Sequence, residues 1–112
     1  MSFVLGTLRL LYLTQLKNHL EHKMMTITEA KLDMEKTITE LTSVGTDLDP
    51  ENPIIKDMKA RRDKLKIAVD ELERQRVVYE TKLKAVEKEI SSAEGVINNS
   101  VQREFSYGNR GG

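Results

Sequence analysis

At 112 residues and 12.8 kDa the chain has the size of one domain, and its lack of cysteine excludes a disulfide scaffold, a thiol nucleophile and thiolate-held zinc or iron–sulfur. Its 18 basic and 18 acidic residues balance, leaving no basic excess to offset nucleic-acid phosphate. Aromatics at 4 % are too few to wall an enzyme pocket, and with charged residues at 32 % the class that remains is an all-α, Leu/Ile/Val-striped protein.

The N-terminus is the most apolar stretch, with Phe3, Val4, Leu5, Leu8, Leu10, Leu11, Tyr12 and Leu13. A cleaved signal peptide is not expected there: no basic cluster precedes it, Arg9 falls inside it and no small-x-small site follows. A spanning helix needs about 20 nearly uncharged residues, and Arg9 and Lys17 bound the run too closely. A membrane role is therefore not expected, and the compartment stays open between the cytoplasm and export without a cleaved signal.

The first helix is predicted over about 3–44. Leu13, Leu20, Ile27, Met34 and Leu41 recur every seven residues, the recurrence of a helix packed lengthwise on another. Residues 45–53 form the connection. Gly45 suits the turn after a helix end, Asn52 suits an N-cap, Pro53 suits the first helical position, and Asp49-Pro50 suits an earlier turn.

The second helix is predicted over about 53–105. One column reads Met58, Leu65, Leu72, Tyr79, Val86 and Ala93, and its companion reads Ile55, Arg62, Val69, Arg76, Leu83, Ile90 and Ile97. The stems of Arg62 and Arg76 are expected to pack in that column with their heads in water, the alternative being that they set register against an acidic partner across the seam. Residues 106–112 read as a flexible tail after a single helical domain over 1–107.

A short connection makes the two helices antiparallel neighbours, a coiled-coil-like hairpin with a long second helix. The predicted seam is Leu13, Leu20, Ile27, Met34 and Leu41 against Ile55, Met58, Leu65, Val69, Leu72, Tyr79, Leu83, Val86 and Ile90. Folding back at the loop brings Leu8 near Ile90 and gathers both chain ends at one pole. Residues 1–52 carry roughly −3 and residues 53–112 roughly +3, which favours the pairing weakly.

The pole holds more apolar surface than two helices hide between themselves. Phe3, Val4, Leu5, Leu8, Leu11, Tyr12, Ile97, Val101, Phe105 and Tyr107 are its candidate assembly contacts. The expectation is a homo-oligomer or polymer, open to other protein subunits. A first segment folding back as a short third helix is the competing arrangement.

Other motifs carry little chemistry. His19 and His22 are three apart with no third ligand in view, so no metal is expected. Asp47, Asp49 and Glu51 alternate like calcium ligands, but Asn52 and Met58 stand where that loop needs glycine and glutamate. Asn98-Asn99-Ser100 fits a glycosylation triplet inside a predicted helix, and Lys59, Arg61, Arg62, Lys64 and Lys66 are interleaved with Asp57, Asp63 and Asp70. No catalytic constellation is readable, so neither an enzyme nor a cofactor is expected.

Asp49-Pro50-Glu51-Asn52-Pro53-Ile54-Ile55, together with the apolar ending Val96 to Phe105, resembles type III secretion needle proteins. That resemblance implies a small helical hairpin whose C-terminal stretch drives head-to-tail polymerisation, with Ile97, Val101 and Phe105 as contacts. The longer second helix and the apolar N-terminus differ from the family's pattern. The expected role is a non-enzymatic structural subunit of a filament or secretion apparatus. The alternative is a small adaptor or secretion chaperone that binds an apolar helix of another protein.

Overall fold

The computed structural model describes residues 2–44 and 49–110, with side-chain surroundings for 3–44 and 49–105. It is all-α: α1 spans Ser2–Val44 and α2 spans Pro53–Arg110, with no strand among the described residues. Gly45, Thr46, Asp47 and Leu48 lie outside the described residues, and so does the side chain of Tyr107.

α1 is unbroken from Ser2, so the competing third helix does not form. Its interior contains no proline, and five of its threonines satisfy their hydroxyls on the helix backbone. Thr7, Thr14, Thr37, Thr39 and Thr42 each donate to the carbonyl four residues back, at 2.8–3.1 Å.

The start of α2 follows from three residues. The Asp49 carboxylate accepts the Glu51 N–H at 3.0 Å, and the Asn52 N–H donates to the Asp49 carbonyl at 3.0 Å, closing a turn around Pro50. Asn52 Oδ1 then accepts the Ile54 N–H at 3.0 Å, and its carbonyl takes the first helical bond from Lys56 at 3.1 Å. Pro53 stands at the first helical position, where the missing N–H costs nothing. The α2 backbone continues to Arg110, beyond the end expected near Phe105.

Contacts divide the chain into two compact units, Met1–His22 with Glu80–Gly112 and Lys23–Tyr79. Two helices cannot surround a common core, so their contacts cluster locally.

In the first unit Leu13, Leu20, Val86 and Ala93 are buried, and Leu83, Ile90 and Ile97 are half-buried. In the second unit Ile27 and Ile55 are buried. Met34, Leu41, Met58, Leu65, Val69, Leu72 and Tyr79 are half-buried there. Every residue of the predicted seam is therefore at least partly covered. Leu13 and Ile55, at 2 % and 1 % exposure, are the largest fully enclosed side chains.

Candidate functional site

The apolar residues near the N-terminus belong to the first unit. Gly6 faces α2 so closely that a Cβ placed there would lie 3.1 Å from Ile97 Cγ1. Arg9 Nη2 reaches Glu89 Oε2 at 3.0 Å. With Leu13 and Leu20 buried, these contacts define the side of α1 turned to α2.

At about 100° per residue, Val4, Leu5, Leu8, Leu11 and Tyr12 fall within an arc of roughly 120° on the other side. All five are 55–63 % exposed. Leu8 itself stands in the open, while its neighbour Arg9 pairs with Glu89, the neighbour of Ile90, and Gly6 meets Ile97. The seven-residue line that fixes the covered side runs back from Leu20 through Leu13 to Gly6, and Leu8 is two residues off it.

Phe3 is also exposed, and on α2 so are Val96, Val101 and Phe105. Ile97 differs from the other assembly candidates, being half-buried against Gly6. A shallow groove beside this contact is lined by Gly6, Arg9, Glu89, Ser92, Ala93 and Val96, with the Arg9–Glu89 pair at its rim.

In the second unit the notable polar feature is a three-residue clasp. Glu73 accepts Lys31 Nζ at 2.9 Å and Arg76 Nη2 at 2.7 Å, with Arg76 Nε at 3.0 Å from its other oxygen. Hydrogen bonds from Arg76 and then Lys31 hold the Glu73 carboxyl at about 2, below its ordinary 4.5, against a smaller opposing effect of desolvation. Sequence reading singled out Arg76 but missed Lys31 and Glu73, whose meeting depends on the axial offset of the helices. Arg62 also lies in the seam, with its side chain 26 % exposed. Its Nε is buried without a hydrogen bond, 3.6 Å from Asp63 Oδ1.

His19 and His22 are exposed, and no group of three His, Asp or Glu among the described residues could hold a metal. Asp49 serves the turn before α2, while Asp47 lies outside the described residues. Asn98 is exposed within α2. The basic run is paired in part: Arg61 meets Asp57 at 3.4 Å. No helix among the described residues is long and apolar enough to cross a membrane.

Comparison with protein-family models, curated proteins and solved structures found no match to this chain.

Proposed function

We propose that the chain is a non-enzymatic structural subunit that self-associates through the exposed apolar surface of its first unit. The observation that carries this reading is the arc of Val4, Leu5, Leu8, Leu11 and Tyr12, five large side chains each more than half exposed within about two turns. At about 25 cal/mol per Å² of apolar surface, covering even part of such an arc offsets much of the cost of association. A two-helix chain has little core of its own, so assembly also supplies stability that the isolated copy lacks.

The same reading pairs α1 with α2 as an antiparallel, coiled-coil-like hairpin. Its support is the order of the contacts within each unit: Gly6 with Ile97 and Arg9 with Glu89 in one, Lys31 with Glu73 in the other. Arg9 follows Gly6, while Glu89 precedes Ile97.

Sedimentation velocity of the purified chain over a range of concentrations tests the self-association. The expected mass rises above 12.8 kDa as concentration increases. A chain that stays at that mass throughout overturns the reading.

A further inference from the structure

Resting on the self-association reading, we infer that the α1 face of Val4, Leu5, Leu8, Leu11 and Tyr12 docks on the same face of a second copy about a two-fold axis, forming a closed dimer. Three observations carry the choice of a second copy as the occupant.

The first is chemical. From Val4 to Tyr12 the arc contains no charged side chain; the one charge in that stretch, Arg9, points elsewhere and is held by Glu89 at 3.0 Å. Nothing on the face therefore selects a charged partner, whereas an identical apolar face matches it in composition and extent. Contacts in which the same patch serves both sides are the commonest route to soluble dimers.

The second is that the polar groups bordering the face are already satisfied. Thr7 donates to the Phe3 carbonyl at 2.8 Å, and Thr14 donates to the Leu10 carbonyl at 2.8 Å. Covering that edge strands neither threonine donor, and Tyr12, near one side of the arc, keeps its hydroxyl in water at the rim of the contact. Farther along α1 the same arc turns polar at Gln15, His19 and His22, which limits the contact to the N-terminal turns.

The third is area. Five side chains at 55–63 % exposure offer on the order of 500 Å² per copy, or about 1,000 Å² in the pair. That lies below the roughly 1,200 Å² of stable specific interfaces, among weak and transient ones, and corresponds to a dimer in exchange with its monomer. Val101 and Phe105 stand on the other helix, α2, and the inference assigns the contact to the α1 face alone. They take no part in the dimer.

Light scattering on the full chain from about 10 µM to 1 mM tests this, with helical circular dichroism recorded on every sample. The wild type is expected to move from 12.8 kDa towards twice that mass and no further. Leu8→Glu puts a charge at the centre of an exposed helix face, where glutamate is a good helix former. It should weaken association at least tenfold with helicity unchanged, and Leu11→Gln should do so to a lesser degree. Val101→Asp with Phe105→Asp should dimerise like the wild type. Dispersal by the α2 pair but not by Leu8→Glu overturns the inference and leaves self-association standing. A wild-type mass that climbs past two copies does the same. A wild type that is monomeric throughout removes both.

Discussion

Lys31 Nζ stands 2.9 Å from Glu73 Oε2, and the same carboxylate is gripped by Arg76, three residues farther along α2. One acid thus serves two cations, one on each helix of the second unit. Removing it leaves both without that partner, so Glu73 is the member whose loss is felt most. An exposed pair contributes little singly, but a shared, geometrically fixed carboxylate is the arrangement in which surface charges do matter.

The clasp has a pH signature. Because the folded-state pKa of Glu73 is depressed from 4.5 to about 2, its contribution is present above the unfolded value and lost as pH falls through the folded one. Thermal midpoints are expected to fall across that window in the wild type, and Glu73→Gln should flatten the fall. Parallel curves for the two proteins would contradict the assignment.

Gly6 and Ile97 should be energetically coupled. Replacing a helical glycine by alanine gains roughly 0.8–1 kcal/mol from helix propensity. Here the added Cβ would sit 3.1 Å from Ile97 Cγ1, closer than packed carbons normally approach, so part of that gain is cancelled. In an Ile97→Ala background Gly6→Ala should recover the full gain. Urea denaturation of the four proteins measures the coupling, and strict additivity would show that the approach carries no strain.

The two sides of α1 should respond very differently to truncation. Leu13 is enclosed, and Leu13→Ala should cost about 2–5 kcal/mol. Leu8→Ala, measured at concentrations where the chain is monomeric, should cost within about 0.5 kcal/mol. Equal losses would mean that the covered side of the helix has been misread.

The Asn52 cap makes a graded prediction. Asn52→Ala removes the acceptor for the Ile54 N–H and should cost about 1 kcal/mol, while Asn52→Gly should cost only a few tenths. If both substitutions prove silent in chemical denaturation, the first turn of α2 draws its stability from Pro53 and from packing.

Much of the fold is legible in the residues. The seven-residue line from Leu13 through Leu41 and its counterparts from Ile55 to Ile90 mark side chains that are all at least half-covered, because a heptad names a helix's inner face without knowledge of its partner. Asn52-Pro53 opens α2 because cap chemistry is local. What the pattern does not contain is the axial offset between helices. The meeting of Lys31 with Glu73 depends on that offset and is not legible in either heptad column. Gly6, a lone glycine in a helical run, was the available hint of a close approach.

Arg62 has a different kind of consequence. Its Nε is buried and makes no hydrogen bond, with the Asp63 carboxylate 3.6 Å away, an arrangement that apolar side chains of similar length do without. Selection tolerates such a defect whenever stability already exceeds what the organism requires. Position 62 is therefore where a programme of heat-hardening should begin, with methionine as the first substitution.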